Sequence, residues 1–275
     1  MILTDTHCHL YFEAYRKDLP DVIHRAADQG VFRVLVPGID LLTSRQAVEL
    51  AEQFPMVYAA VGVHPNSAET WTQGTAAELR LLAAHPKVAA IGEIGLDYYR
   101  DQASPAKQQE VLERQLGLAS SLGLPVVLHF RNTSEQERAC IEDLLGLLAG
   151  WVEQAAQKSP GLKDRWGVLH SFSGNLQESQ QARELGFSLG ITGPITFKKA
   201  GSLRAVVRAC PQDRLLVETD GPFLTPQPHR GKRNEPAYVR FVVERIAQVT
   251  QQPKAELAAQ TAKNAQRLFH WSEPL

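Results

Sequence analysis

The stretch Val88-Ala89-Ala90-Ile91-Gly92-Glu93 decides the fold, because four apolar residues in succession stand just before a carboxylate. A strand that is apolar on both faces is typical of a parallel sheet covered by helices, where both faces are buried. The run Val31–Val36 has the same character. The pattern therefore predicts a helix-covered parallel sheet, with Glu93 at the end of one strand.

Outward from this stretch, the sequence predicts eight short strands that alternate with helices. We expect strands at Ile2–Thr6, Val31–Val36, Met56–Val61, Val88–Glu93, Pro125–His129, Gly167–His170, Phe187–Ile191 and Leu215–Glu218. We expect helices at Leu19–Gln29, Leu41–Phe54, Thr75–Ala84, Pro105–Leu122, Ser134–Gln157, Leu176–Leu185, Ser202–Ala209, Pro236–Val249 and Lys254–Phe269. Glycines stand where three helices should stop, at Gly30, Gly123 and Gly186. Eight strand–helix units with short connections indicate an α/β fold of the (β/α)8 TIM-barrel type.

The rival architecture is a doubly wound open sheet, which needs a glycine-rich turn after its first strand. The sequence there is Asp5-Thr6-His7-Cys8-His9, without glycine. A chain of 275 residues is a normal length for one α/β barrel, so we expect a single domain over residues 1–275. The stretch Gly146–Arg165 is expected to form a lengthened helix and surface loop that alters the rim of the barrel.

Composition limits the partners and the compartment. A formal net charge of −1 provides no overall attraction for nucleic acid, so any phosphate binding must be local. The three cysteines, Cys8, Cys140 and Cys210, form no CxxC motif, which favours a reducing compartment. No apolar run reaches the length of a membrane span and the N-terminus does not resemble a signal peptide. We therefore expect a cytoplasmic protein without a membrane partner, monomeric or weakly oligomeric.

Titratable residues recur at the carboxyl ends of the predicted strands. A lone pair such as His7 and His9 is often a satisfied core or loop pair, although its spacing projects both imidazoles to one face. Here five predicted strands end in such residues, and barrel active sites form at that end. The full set is His7, His9, Glu93, His129, His170 and Asp220. Repetition of such residues on one rim favours a metal-dependent hydrolase site over a purely structural role in packing.

Four histidines and two carboxylates exceed the needs of one ion. A mixed nitrogen and oxygen set of this size suits two divalent ions bridged by a carboxylate. Glu93, roughly opposite the first strand in barrel order, is the natural bridge. These ligand types admit Mg, Mn, Zn, Co or Ni.

Several motifs carry a family resemblance over Thr4–Phe269, nearly the whole chain. They are Asp5-Thr6-His7-Cys8-His9-Leu10, Gly62-Val63-His64-Pro65, Gly92-Glu93-Ile94-Gly95-Leu96-Asp97-Tyr98-Tyr99, Pro125-Val126-Val127-Leu128-His129, His170-Ser171-Phe172-Ser173-Gly174, Thr196-Phe197-Lys198-Lys199, Glu218-Thr219-Asp220-Gly221-Pro222 and Arg230-Gly231-Lys232-Arg233-Asn234-Glu235-Pro236. With them the chain resembles TatD-family metal-dependent hydrolases and nucleases of the amidohydrolase-like barrel superfamily.

The resemblance implies which residues hold which ion. One ion would be held by His7, His9, Glu93 and Asp220, and the second by Glu93, His129 and His170. It further implies single-stranded DNA or RNA, trimmed from the 3′ end, as the substrate.

The chain departs from the family at three positions. Phe130 stands where a serine is usual, so the shape of the substrate pocket is not carried over from the family. Gly221 stands where alanine is common and Ser171 where cysteine is common. All of the expected ligands are present.

Further candidates surround this set. His64 ends the third strand on the same rim and is expected to contact a substrate phosphate or leaving group; the alternative is a structural role. Arg131 is either a phosphate ligand or an ordinary surface arginine. Glu218, two residues before Asp220, is expected to hydrogen-bond a ligand histidine, with a plain structural carboxylate as the alternative. Asp97 is likewise expected to hydrogen-bond a ligand histidine.

A basic loop, His229-Arg230-Gly231-Lys232-Arg233, follows the last strand. Loops after the seventh and eighth strands of barrels often bind phosphate. Arg230 and Lys232 are therefore expected to bind substrate, unless the loop is simply a solvated one.

The mechanism expected from the resemblance is phosphodiester hydrolysis by a water that the two ions activate. Asp220 is expected to act as general base, with Glu93 as the second catalytic residue. The alternative is amide or ester hydrolysis, including deacylation of D-aminoacyl-tRNA. A structural metal site is a poor third choice, because such sites usually close their coordination with Cys and His.

Overall fold

The protein is described by a computed structural model that covers residues 1–134 and 136–271. One parallel sheet contains eight strands, each paired with the next in chain order. They are β1 (Leu3–Asp5), β2 (Val31–Pro37), β3 (Val57–Val61), β4 (Val88–Asp97), β5 (Val126–Arg131), β6 (Gly167–Leu169), β7 (Ser188–Ile191) and β8 (Leu215–Val217). Helices lie between the strands, and the predicted (β/α)8 TIM barrel is confirmed.

Nine α-helices are found in the described ranges. They are α1 (Leu19–Asp28), α2 (Leu41–Gln53), α3 (Thr75–Ala83), α4 (Pro105–Leu122), α5 (Ala139–Lys158), α6 (Leu176–Glu184), α7 (Gly201–Ala209), α8 (Val239–Thr250) and α9 (Lys254–Phe269). The three glycines expected at helix ends all have positive φ, as such ends require: Gly30, Gly123 and Gly186. Short 3-10 turns account for part of the connections, and one of them, Pro236–Tyr238, leads directly into α8.

The prediction that the fourth strand ends at Glu93 is wrong, because β4 continues to Asp97. Ile94 and Leu96 are fully buried and pair with β5, which keeps the chain extended. The pairing register shifts between Ile91 and Ile94. Glu93 therefore lies within an irregularity of the strand, and such bulges commonly re-aim a side chain near active sites.

The helix expected at Ser134–Gln157 begins only at Ala139, and position 135 lies outside the described residues. Its end agrees with the prediction to within one residue.

The lengthened stretch Gly146–Arg165 lies away from the rim, contrary to expectation. It comprises the second half of α5 and a 3-10 turn that lead into the amino end of β6. Arg165 donates hydrogen bonds to the carbonyls of Gly123, just before β5, and of Leu268 in α9. The extra length therefore covers the amino end of the barrel.

The core has two parts. Most buried apolar side chains belong to a cluster between the strands and the helices. A second cluster joins alternate strand residues, such as Leu35 and Val127, to the end of α9 with Phe269 and Trp271. Trp271 packs against Tyr58 at the start of β3, with ring centroids 5.6 Å apart. The end of α9 thus packs at the amino end of the barrel, opposite the rim where the candidate residues lie.

Backbone bonds between the segments after β1 and after β8 close the barrel. Thr6 donates to the Val217 carbonyl at 3.1 Å, and Asp220 donates to the His7 carbonyl at 2.8 Å. Further along, His9 donates to the Gly221 carbonyl at 2.8 Å. Three of the candidate ligands therefore lie at the seam of the barrel.

No helix within the described part of the chain has both the length and the apolar character needed to cross a membrane.

Candidate metal centre

The two histidines that follow β1 point their Nε2 atoms at each other. His7 and His9 are buried, and these atoms are 3.1 Å apart. Tyr11 donates its hydroxyl hydrogen to the Pro37 carbonyl at 3.0 Å, so its oxygen accepts from His9 Nδ1 at 2.8 Å. With its hydrogen on Nδ1, His9 presents the lone pair of Nε2 to the site.

Glu93 places its two carboxylate oxygens in different surroundings. Oε2 lies 3.4 Å from His7 Nε2 and 3.6 Å from His9 Nε2. Oε1 lies 3.1 Å from His129 Nδ1, 3.7 Å from His64 Nε2 and 3.9 Å from His170 Nε2. One buried carboxylate thus faces two separate groups of imidazoles, as a bridging ligand would.

Asp220 follows β8 with a left-handed backbone, at φ 59°. Its Oδ1 lies 3.8 Å, 3.6 Å and 3.7 Å from the Nε2 atoms of His7, His9 and His170. His170 donates its Nδ1 hydrogen to Glu218 at 2.9 Å, so the neutral form of its ring presents the Nε2 lone pair to the site. The expected hydrogen bond between Glu218 and a candidate ligand is present, with Glu218 as the acceptor.

The donor set fits a divalent cation. With bonds of about 2.0–2.1 Å, neighbouring ligand atoms of a tetrahedral site lie about 3.3 Å apart. The atoms of His7, His9 and Glu93 are separated by 3.1–3.6 Å. Facing lone pairs at such distances repel each other unless a proton or cation lies between them. Three overlapping groups of possible ligand atoms, each with its atoms within 4.8 Å of one another, lie here: His7, His9 and Glu93; His7, His170 and Asp220; His64, Glu93 and His129.

The grouping differs from the expected one at one point, since His64 lies with Glu93 and His129 whereas His170 lies nearer Asp220. His64 Nδ1 accepts a hydrogen bond from the Asn66 amide at 3.0 Å. A neutral His64 therefore carries its hydrogen on Nε2 and offers a donor, not a lone pair, to the site.

Electrostatics keep both carboxylates ionised. Burial alone would raise the pKa of Glu93, but the neighbouring His7 and His64 hold it well below its usual range. Burial likewise opposes ionisation of Asp220, yet the neighbouring His170 and His9 lower its pKa. Two ionised carboxylates among five imidazoles form a site that suits cations.

Two of the histidines gain protons in the absence of a cation. Burial would lower the pKa of His129, but hydrogen bonds to Asp97 and Glu93 raise it to about 9. For His170, burial is likewise outweighed by Glu218 and Asp220, and its pKa is also about 9. Cation binding must therefore displace protons from this site.

A cavity of about 930 Å³ opens over these residues at the carboxyl end of the barrel. Its lining includes His64, His129 and Asp220 together with Phe130, which packs on Phe172 with ring centroids 5.5 Å apart. The family-atypical Phe130 thus adds apolar surface to the cavity wall.

The expected substrate-binding residues divide into two groups. His64 and Arg131 line the cavity, and the Arg131 guanidinium lies 3.8 Å from the ring centre of Tyr99. Arg230 and Lys232 are exposed and are not among its lining residues. Arg230 does pack over Phe197, 4.3 Å from the ring centre, and Phe197 lines the cavity.

The rest of the basic loop is engaged elsewhere. His229 stacks on Tyr238 with ring centroids 4.4 Å apart. Arg233 donates hydrogen bonds to both oxygens of Asp18. Cations that the sequence analysis did not select line the cavity instead, namely Arg100 and Lys199.

Residues that support the ligands were also missed. The buried Asp5 accepts from the Thr219 amide at 2.8 Å, the Thr219 hydroxyl at 2.5 Å and the His7 amide at 3.3 Å. It thereby ties the ligand segment after β1 to the segment after β8. A buried acid directly before the HxH pair is the signal that could have identified it.

A (β/α)8 barrel with histidines and carboxylates clustered at its carboxyl mouth defines a class of barrel hydrolases, and comparisons with known proteins name the family. The profile of the family described as TatD related DNase matches residues 4–270. The chain is 41% identical over 268 residues to a Bacillus subtilis protein named "Uncharacterized metal-dependent hydrolase YabD", covering 98% of this chain and 99% of that one. It is 39% identical over 272 residues to the "3'-5' ssDNA/RNA exonuclease TatD" of Erwinia tasmaniensis, covering 97% and 99%.

Comparison with solved structures supports the same family. The crystal structure of YJJV, a TatD homolog from Escherichia coli K12, superposes with a TM-score of 0.87 at 32% identity and covers 98% of both chains. The protein therefore belongs to the TatD family of metal-dependent hydrolases.

Proposed function

We propose that this hydrolase is a divalent-metal-dependent phosphodiesterase that removes nucleotides from the 3′ end of single-stranded DNA or RNA. The observation that carries the proposal is the Glu93 carboxylate, whose two oxygens face two donor groups beneath a cavity with cationic lining. Relatives named as 3′-5′ ssDNA/RNA exonucleases support the substrate class.

Two ions are assigned to this site. His7, His9 and Asp220 would hold one ion, His129 and His170 the other, and Glu93 would be shared by both. Nitrogen and oxygen ligands admit Mg, Mn, Zn, Co or Ni, so availability selects the metal. When bound, the ions supply Lewis acidity, which lowers the pKa of water and offsets charge on phosphoryl oxygens.

Asp220 is assigned the role of general base. Its carboxylate is ionised because His170 and His9 lower its pKa against the effect of burial. It lines the cavity, and its backbone is fixed by the hydrogen bond to the His7 carbonyl. An ionised, positioned carboxylate at the floor of the cavity can accept the proton of an attacking water.

His64 is assigned to the substrate phosphate. Its Nδ1 is occupied by the Asn66 amide, so its Nε2–H points toward the group of Glu93 and His129. A fixed N–H donor suits a phosphoryl oxygen that gains charge during hydrolysis.

Arg131 is assigned to a phosphate of the strand. Its guanidinium stacks on Tyr99, which holds the plane of the fork while its N–H groups stay available. Arg100 and Lys199 add positive charge to the same cavity. Such local charge provides phosphate affinity despite the net charge of −1.

The test is a panel of substrates and metals with the purified full chain. Single-stranded DNA and RNA labelled at the 5′ end, aminoacyl-tRNA and cyclic amides are incubated with Mg, Mn, Co, Zn or Ni after chelator treatment. We expect a ladder of 5′-labelled products that shorten from the 3′ end, with no product in chelator. A phosphorothioate at the 3′-terminal linkage should slow this ladder.

Cleavage of an amide or ester, with no nucleic-acid product under any metal, would contradict the proposal. Arg131→Ala is expected to raise KM for oligonucleotides about tenfold, as loss of one charged hydrogen bond implies. Arg16→Ala, which removes an exposed arginine that does not line the cavity, is the matched control.

A further inference from the structure

Two phenylalanine rings form an aromatic corner at the mouth of the cavity. Phe12 and Phe223 both line it, and their ring centroids are 5.7 Å apart with planes at 72°. Phe223 is 52% exposed, and Phe12 is partly buried. The two rings therefore offer apolar surface at the cavity mouth that a bound ligand can cover.

The backbones of the two residues are tied to the ligand segments. Phe12 donates its amide hydrogen to the His9 carbonyl at 3.2 Å, and Phe223 donates to the Asp220 carbonyl at 2.8 Å. The Phe223 carbonyl also accepts from the Asn234 side chain at 2.6 Å. The Phe12 ring lies 5.2 Å from the His9 ring. The corner is therefore held by the same two segments that carry His9 and Asp220, and one of its rings packs beside the His9 ring.

We propose that Phe12 and Phe223 stack on the nucleobase next to the scissile phosphate. The inference rests on the proposed function, which places that phosphate at Glu93 and Asp220. A nucleoside bonded to a phosphate there reaches the aromatic corner, since the corner adjoins the same residues. Edge-to-face packing of the two rings leaves ring surface uncovered for a flat partner.

The chemistry of the corner selects a base over other groups. Neither side chain offers a polar atom, so neither can read a hydrogen-bonding edge. Every nucleobase has a π-face, and stacking on aromatic side chains is tolerant of sequence. The corner therefore predicts little base preference but a strong requirement for an unpaired base that is free to stack.

The test uses 5′-labelled oligonucleotides that differ at one residue. The natural substrate is compared with two versions that carry an abasic residue at the 3′-terminal or at the penultimate position. For the wild-type protein, at least one abasic version is expected to lose roughly 5- to 100-fold in kcat/KM, the range typical of lost base stacking.

Variants of Phe12 and Phe223 test whether the loss of kcat/KM with abasic substrates arises at this corner. Phe12→Leu with Phe223→Leu keeps apolar bulk but removes the aromatic faces, so the ratio of natural to abasic kcat/KM should fall toward 1. Phe223→Trp should retain the ratio. Phe32→Leu is the matched control, because Phe32 is 48% exposed but does not line the cavity. Equal thermal midpoints would show that the variants fold.

The possible failures are distinguishable. Cleavage of natural and abasic substrates at equal rates by the wild type, or a ratio that the double variant leaves unchanged, would overturn the stacking role alone. Absence of any oligonucleotide cleavage by the wild type would overturn the proposed function and the stacking role with it.

Discussion

Two imidazoles at the barrel mouth are oriented by hydrogen bonds on the side away from the proposed ions. His170 donates to Glu218, and His9 donates to the Tyr11 hydroxyl. Glu218 is fully buried and also accepts from the Ser171 amide at 2.9 Å. Such partners fix the ring and the tautomer of a metal ligand, and their loss typically weakens metal binding.

Glu218→Gln should therefore weaken metal binding by about 10- to 100-fold, because an amide is a poorer acceptor for His170 than a carboxylate. The measurement is a competition titration against a coloured chelator. Glu110→Gln, on the exposed face of α4, is the control and should bind metal like the wild type. Wild-type affinity in Glu218→Gln would show that this hydrogen bond does not support the site.

The raised pKa values of His129 and His170 predict a pH dependence of the metal-free protein. Both values are about 9 in the folded chain, against 6.5 for an ordinary histidine. Folding therefore favours the protonated forms, and this stabilisation is complete below about pH 6.5 and is lost as the pH rises through 9. In chelator, the thermal midpoint should fall over this window.

With metal present the trend should reverse, because ions compete with protons for the same nitrogens. Thermal midpoints measured from pH 6 to 9.5 with chelator and with saturating Mn²⁺ would show both slopes. His129→Gln should reduce the slope in chelator. Parallel curves with and without metal would contradict the assignment of these histidines as ligands.

At the scale of elements, a glycine in β7 leaves room for the side chain of a residue that follows β8. A methyl group added at Gly190 would overlap the carboxylate of Glu218. The small residue on β7 therefore allows Glu218, just after β8, to reach His170. This is a close approach of side chain to backbone that only glycine permits.

Gly190→Ala should consequently weaken metal binding and lower stability by about 1–3 kcal/mol, the usual effect of overpacking. Gly117→Ala is the control, because that glycine lies in α4 with open space around its Cα and the change should stabilise the helix by about 0.5–1 kcal/mol. The two variants are compared by urea unfolding and by chelator competition. Wild-type metal affinity in Gly190→Ala would contradict the packing argument.

The barrel and the identity of its elements were predictable because apolar strands and helix-stop glycines are local signals. The fourth strand shows where such signals fail. A charged Glu93 after an apolar run indicates a strand end, but pairing of Ile94 and Leu96 with β5 carries the strand to Asp97. That pairing depends on residues far away in the sequence.

In the candidate site, too, some features were predictable from the sequence and others were not. The set of six residues follows from position at strand ends, and the structure brings all six together. The directions of the side chains could not be predicted from the sequence, since they depend on partners such as Asn66 for His64 and Glu218 for His170. Lys232 was predicted to bind substrate from its charge, but it is not among the residues that line the cavity.

For the whole molecule, the segments that close the barrel also carry three residues of the proposed metal centre. Backbone bonds that join the segments after β1 and β8 hold His7, His9 and Asp220 in place. Residues separated by about two hundred positions are thus brought together only when the complete barrel forms. Metal binding should stabilise the folded chain as a whole, by about 2.7 kcal/mol at a free metal concentration one hundred times Kd.

The proposed site depends above all on Glu93, which is assigned to both ions. The most direct test is the number of metal ions per chain, measured by elemental analysis after equilibration with Mn²⁺ or Zn²⁺, for the wild type and Glu93→Gln. We expect two ions per wild-type chain. In the variant we expect tight binding to be lost at both positions and hydrolytic activity to be abolished. One ion in the wild type, or two ions and full activity in Glu93→Gln, would contradict this assignment.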